Sequence, residues 1–367
     1  MSNYEIWLGD DQGTRLITLN NTSGFRLIKR LNRPGYFAID LPLSFDRTLI
    51  RRDARVEIWR KDFAGKLDLE FLGLLRQFKY KTDRSGNTKI TISGPDLNDL
   101  LNRRHVLYLT GSSEATASAK EADDLLKRIV DENMGGSATD ADRDFTATGE
   151  LTIQGDLTAG PTITRTLSFK NVLDLCQDIA EASRQKGTNL YFGIVPHTPK
   201  NWEFITRTGQ WGQDRTIVGN QGVIGLEFGN LSDPQYEVDW NGEITNVTGL
   251  GQGEGAGRNT QEIEDATRVK ASRFNRIEAV KDARRESAAA GIQDAAREVL
   301  ESNRPRRRFR GRIVQTKAFV YGRDWGHGDK LSWTYLGEQG DAFVQLIDIR
   351  VNGKGEEKVS ARLEALE

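Results

Sequence analysis

Apolar and polar positions alternate through the first hundred residues, and the alternation predicts short strands. Segments 4–8 and 15–19 flank the polar turn Gly9-Asp10-Asp11-Gln12-Gly13. In 35–41, Phe37, Ile39 and Leu41 fall on one face and Tyr36, Ala38 and Asp40 on the other. Segment 55–59 repeats the pattern with Val56 and Ile58 on one side. Segments 71–80 and 89–93 then flank a hairpin turn in which Gly86 supplies the positive φ. About six short strands at this spacing predict a barrel or sandwich.

After Gly94-Pro95 the period changes to that of helices. A short helix is expected over 96–102. A longer one is expected over 119–133, with Leu125, Leu126, Ile129 and Val130 on one stripe. The polar stretch 135–160 reads as an exposed loop or arm. Ser168 is the expected N-cap of a helix over 170–185, whose apolar face is Val172, Leu173, Cys176, Ile179 and Ala180, with Gly187 ending it. Strands are expected over 189–195 and 202–206, then over 223–228, 236–240 and 243–249. The Ala-rich segment 281–302 is predicted to be helical. A last β region starts in 304–312 and continues through 330–335, 342–351 and 357–366.

The first and last β regions echo each other. Arg52-Asp53-Ala54-Arg55-Val56-Glu57-Ile58 resembles Gly328-Asp329-Lys330-Leu331-Ser332-Trp333. In each case a second strand follows, then a Gly turn and a final strand. Two related β units in one chain would let a trimer present six similar units around an axis, so that a six-fold tube could sit on a three-fold tip. The expected domains are 1–95 as a first β-barrel, 96–220 as an α+β insertion, 221–303 as strands and a helix leading to the second barrel, and 304–367 as the strands completing it.

Composition narrows the chemistry. At 367 residues several domains are expected. Lys plus Arg is 52 and Asp plus Glu is 53, for a net charge of −1, which argues against a dedicated nucleic-acid binder while leaving room for a surface that tolerates passing DNA. The single Cys176 reads as a core residue, and the redox compartment stays open. No basic region followed by an apolar run opens the chain and no apolar run is long enough to span a bilayer, so neither a signal peptide nor a membrane span is expected.

Catalytic signatures are missing. His105, His197 and His327 lie far apart, so no metal site is expected. The calcium-like run from Asp140 has Phe145 where Gly is needed and Leu151 where Glu is needed, and reads as a solvated turn. The glycines of 249–257 match neither a phosphate loop nor a dinucleotide fingerprint. Trp202, Trp211 and Trp240 could line a sugar site, although aromatics in β proteins are usually core or interface. The one dense charge run holds Arg304, Arg306, Arg307, Arg308, Arg310 and Arg312 around Phe309. A phosphate-pairing stripe is one reading; pairing with acidic surface on neighbouring subunits is preferred at this net charge.

Taken in order, several segments resemble the siphophage tail-tip or baseplate hub family, the structural N-terminal module of tail-associated lysins. The likeness rests on Arg165-Thr166-Leu167-Ser168-Phe169, 171–180, Trp202-Glu203-Phe204-Ile205-Thr206, Gly212-Gln213-Asp214-Arg215-Thr216, Gly229-Asn230-Leu231 and 248–255. Arg276-Ile277-Glu278, Asp282-Ala283-Arg284, Tyr321, Gly328-Asp329-Lys330-Leu331 and 52–60 complete it. The resemblance implies a β-rich α+β hub related to those of contractile phages and type VI secretion spikes, with two tube-like β-barrels and an α+β insertion. It implies a homotrimer around a genome channel in the virion tail tip, assembled in the host cytoplasm. The implied partners are a distal tail or tube ring, the tape measure protein, and tail fibre or central spike proteins, with DNA only in transit. The chain stops at Glu367, just after the second expected barrel, so no peptidase or lysozyme extension is expected, and no cofactor. The alternatives are a carbohydrate-binding or cell-wall-degrading tail protein and a β-rich adhesion module of a host bacterium.

Overall fold

The computed structural model describes residues 3–62, 64–82, 84–107, 116–166, 169–217, 221–284 and 288–365. The chain opens with β1 (Tyr4–Gly9), β2 (Arg15–Thr18), β3 (Gly24–Arg30), β4 (Tyr36–Pro42), β5 (Arg55–Lys61), β6 (Leu67–Leu74), β7 (Gln77–Thr82) and β8 (Thr88–Pro95). Next come α1 (Asp99–Asn102), β9 (Thr116–Glu121), α2 (Ala122–Met134), β10 (Leu151–Ile153), β11 (Thr162–Thr166), α3 (Val172–Gln185), β12 (Leu190–Pro196) and β13 (Trp202–Thr208). Then follow β14 (Val223–Gly225), β15 (Leu231–Asp239), β16 (Asn246–Leu250), β17 (Thr260–Glu264), α4 (Ala266–Val269), β18 (Glu278–Asp282) and α5 (Ala289–Ser302). The last strands are β19 (Arg306–Val314), β20 (Lys330–Tyr335), β21 (Glu338–Asn352) and β22 (Glu357–Glu364).

Two compact units result: Met1–Pro234 with Arg310–Glu364, and Gln235–Phe309 with Ala365–Glu367. The first is built on a sheet whose strand path runs β15-β19-β22-β21-β3-β4-β8-β7, with β20 and β14 branching from β21. A second sheet, β2-β1-β5-β6, stacks on it. Tyr4 meets Phe25 at 5.0 Å between ring centres and Phe37 meets Phe71 at 6.2 Å, both edge to face. Gly73 allows the second contact, because a Cβ there would lie 2.3 Å from the Phe37 ring.

Segment 96–213 of this unit builds a core that also takes in Leu72 and Leu74 of β6. There α2 and α3 pack on the three-stranded sheet β10-β13-β12, burying Leu125, Ile129, Cys176, Ile179, Trp202 and Phe204. The N-cap of α3 differs from expectation. Asn171 holds that place, its side-chain oxygen accepting from the backbone N–H of Leu173 at 2.9 Å and of Asp174 at 3.3 Å. Ser168 lies outside the described residues. The stretch expected to be an open arm contributes β10, whose Leu151 is buried because it pairs in parallel with Trp202.

In the second unit β16 lies between β17, antiparallel, and β18, parallel. Helix α5 covers one face, where Val247, Ala296 and Leu300 make a small core with Ile244, Ile263, Ala279 and Val299. This helix is shorter than expected, since Lys281 and Asp282 belong to β18, where ladder bonds to Gly249 and Leu250 override their propensity. Gly249 permits the close approach: a Cβ there would sit 2.6 Å from the Ile292 side chain.

Candidate functional site

The sequence echo corresponds to a repeated piece of backbone. Asp53, at φ 57°, stands two residues before β5, and Gly328, at φ 78°, two residues before β20. The Asp53 N–H donates to the Leu75 carbonyl at 2.9 Å, and the Leu75 N–H returns to Ala54 at 2.9 Å. Likewise the Gly328 N–H donates to Val344 at 3.0 Å, and Val344 returns to Asp329 at 2.9 Å. Leu75 is the bend between β6 and β7, and Val344 borders the bulge inside β21, where the register shifts before Leu346. The structural match therefore pairs Asp53 with Gly328, so the two aspartates of the echo are offset by one residue. In each repeat the first half of a long strand pairs with the strand before it and the second half with the strand after it.

Buried polar groups hold these strands in place. Arg55 is 2% exposed. Its guanidinium donates to the carbonyls of Asp11 and Pro199 at 2.6 Å each, pairs with Glu150, and lies over the Trp202 ring at 4.8 Å. Trp202 is thereby buried and spoken for. Buried Glu57 accepts from Arg15 at 2.7 Å and from the Trp59 indole at 2.8 Å. A second cluster ties the first strands to the last: Tyr4 donates to Glu357 at 2.5 Å, Arg60 pairs with Glu357 at 3.1 Å, and Tyr321 and Lys29 converge on Glu70 at 2.7 and 2.8 Å. Asp329, buried, accepts from the backbone N–H groups of Gln213 and Gly326 and from Arg215 at 2.7 to 3.0 Å.

The ends of the large sheet are its open features. All six residues of β7 are exposed, and among the described residues no strand pairs with its outer side. Phe78 and Tyr80, 50% and 48% exposed, share the face of buried Ile92 and Ile90, so the apolar layer runs out to the edge. The other end, β15, contains Pro234, which has no N–H to donate and is compatible only with an edge or bulge. Sequence reading missed this edge. Its signal is present in Gln77-Phe78-Lys79-Tyr80-Lys81-Thr82, where aromatics alternate with the lysines that commonly guard edge strands.

The arginine run divides by strand alternation. Buried Phe309 and Ile313 face the core, while Arg308, Arg310 and Arg312 take the alternate positions of β19. Arg304 precedes the strand, exposed and paired with Glu301 at 2.5 Å. Arg307 is exposed, and the side chain of Arg306 lies outside the described residues. Arg310 is half-buried, its Nε buried without a hydrogen-bond partner among the described residues. Arg312, exposed, lies 3.9 Å from Asp233 of β15.

Among the described residues no three His, Cys, Asp or Glu side chains come together as a metal site. Asp140 caps a short 3-10 turn through its side chain. Cys176 is buried, and burial pushes its thiol well above the usual range, so it presents no nucleophile. A cavity of about 450 Å³ opens beside Arg30, Arg33 and Tyr36, with Leu173, Asp174 and Gln177 on its far side.

A model of the family described as Siphovirus ReqiPepy6 Gp37-like protein matches residues 3–363. The chain belongs to that family. As a member of it, the chain is similar in structure to the tail protein from Neisseria meningitidis MC58, at 13% identity and a TM-score of 0.58 over 99% of this chain and 97% of that one. Prophage tail protein gp18 from Listeria monocytogenes EGD-e aligns at 12% identity and 0.54, over 98% and 94%. The 43 kDa tail protein of prophage MuSo2 from Shewanella oneidensis aligns at 10% and 0.58, over 100% and 98%. Comparison with curated protein sequences returns no match. This Gp37-like chain thus has the fold of phage tail proteins along its whole length, and the siphophage tail resemblance read from the sequence stands.

Proposed function

We propose that the protein is a structural, non-enzymatic hub at the tip of a phage tail, working as a homotrimer whose sheets join edge to edge into a tube wall. The observation that carries this is the strand path itself. It consists of the four strands β15-β19-β22-β21 followed by β3-β4-β8-β7, two halves with the same long-strand bend, open at both ends. Pairing β7 of one copy with β15 of the next covers Phe78 and Tyr80 and continues the apolar layer. Three copies then supply six similar four-stranded repeats, which matches a six-fold tail tube or distal tail ring on one side and a three-fold tip on the other. The arginines of β19 lie one strand from the β15 edge, within reach of an incoming copy, and we assign Arg304, Arg306, Arg307, Arg308, Arg310 and Arg312 to a subunit or partner contact. The remaining partners in this reading are the end of the tape measure protein and fibre or spike proteins, with the genome passing along the axis and assembly taking place in the host cytoplasm. An averaged map of assembled tails tests it. Three copies forming a six-fold-like ring at the tail tip are expected; copies distributed along the tail shaft, or a ring of another stoichiometry, would contradict it.

A further inference from the structure

The two faces of the large sheet differ in kind. Cross-strand partners share a face, so the register identifies each one. One face holds Ile39, Ile90, Ile92, Leu27 and Ile349, all buried. The other is traced from Lys79 through Thr91, Asp40 and Arg26 to Arg350 and Lys358. Lys81, Arg362 and Arg312 fall on the same side.

Charge on this second face is one-sided. Two of its carboxylates are already held: Asp40 by Lys89 and by the Thr91 hydroxyl at 2.7 Å, and Asp348 by Arg26 at 2.8 Å and Arg350 at 2.9 Å. Two more stand at its β19 side: Glu364, opposite Arg310 in the register, and exposed Asp233, 3.9 Å from Arg312. Lys79, Lys81, Lys358 and Arg362 are exposed and have no ion pair among the described residues. Their long stems stand on strands about 4.8 Å apart, so the cations form a broad array with no pocket among them.

We infer that this face binds the phosphate backbone of duplex DNA without regard to sequence. Three features favour that occupant. The array is spread over several strands of one sheet face, so it enters no groove and reads no base edge. Phe25, Phe37, Phe78 and Tyr80 point to the opposite face; on this one Phe343 is buried and Tyr36 stands at the rim, so the described residues offer no exposed stacking platform for a single strand. Mobile lysines and arginines that outnumber the carboxylates of the face suit a dense polyanion, and duplex DNA carries a charge about every 1.7 Å of axis. The proposal deepens the tail-hub reading by giving the tube wall a chemistry: the wall grips the duplex electrostatically.

Fluorescence anisotropy of the full chain with a short labelled duplex tests it. Binding should weaken steeply between about 50 and 200 mM salt. The pair Lys358→Glu and Arg362→Glu should lower affinity about tenfold or more and reduce the salt slope by about 1.8, from about 0.9 per lost phosphate contact. The pair Lys200→Glu and Lys317→Glu, exposed and outside the strands of this sheet, should leave binding unchanged. Equal losses in both pairs, or no binding by wild type at low salt, would overturn the inference. So would tighter binding of a poly-glutamate peptide of equal charge, which would assign the face to an acidic protein. Sedimentation of the same variants separates this failure from failure of the hub reading: β22 is an interior strand, so assembly should match wild type whatever happens to DNA binding.

Discussion

His327 illustrates how single positions are committed by their surroundings. It stands at the turn before β20, its Nε2 buried without a hydrogen-bond partner among the described residues. Burial, with a smaller push from the Lys29 charge, lowers its pKa to about 3. The folded state therefore holds the neutral ring, while the unfolded chain takes up a proton near the ordinary value of 6.5. The stabilisation is present above pH 6.5 and is lost as pH falls towards 3. Asp96 acts in the opposite sense. Burial raises its carboxyl to about 6 against the hydrogen bonds from Gly35 and Asn98, so its contribution is greatest below pH 3.8 and is lost as pH rises through 6. Comparing thermal melts of wild type and His327→Gln isolates the first effect. The variant should lose less stability than wild type between pH 6.5 and 4.5; parallel curves would show that the ring is solvated and not held neutral. None of this was legible in the sequence, where a lone histidine has no partner to shift it. Cys176 and the α3 stripe were legible because apolar residues at helical spacing define their own buried face.

At the scale of elements, strands 330–335 and 202–206 were predicted closely because period-two alternation over a half-buried sheet is a strong signal. Boundaries failed where tertiary pairing overruled local preference. Lys281 and Asp282 look helical but complete a ladder with β16. Leu151 sits in a polar stretch but is recruited by β13. The arginine run looked like one block of like charge, and alternation along β19 separates Arg307 from Arg308, Arg310 and Arg312. A rim pair in such a contact contributes little, whereas a desolvated central pair costs about 2–5 kcal/mol when one partner is truncated. Replacing Arg306, Arg307 and Arg308 together with Ser should therefore weaken assembly onto tail rings at both low and physiological salt. A triple variant that folds and assembles as well as wild type would reduce the run to protection of a strand edge.

At the scale of the whole molecule, the near-zero net charge does not report where charge lies: one face of the large sheet is apolar and the other carries more lysine and arginine than carboxylate, which composition alone does not reveal. The repeat was legible as a weak echo because the bend needs a residue at positive φ before β5 and β20, supplied by Asp53 and Gly328. Its consequence was not legible: β21 pairs with β3, so strands more than 300 residues apart make one continuous wall. Among the described residues that wall is open at β7 and β15, and the hub reading depends on what closes it. The direct test is the solution mass of the purified protein, by sedimentation or mass photometry over rising concentration, beside a Phe78→Glu/Tyr80→Glu variant. With a chain of 41.1 kDa, the account predicts a species of three times that mass for wild type and a folded single chain for the variant. A wild-type protein that stays monomeric at every concentration, or a trimer that both charged substitutions leave intact, would contradict it.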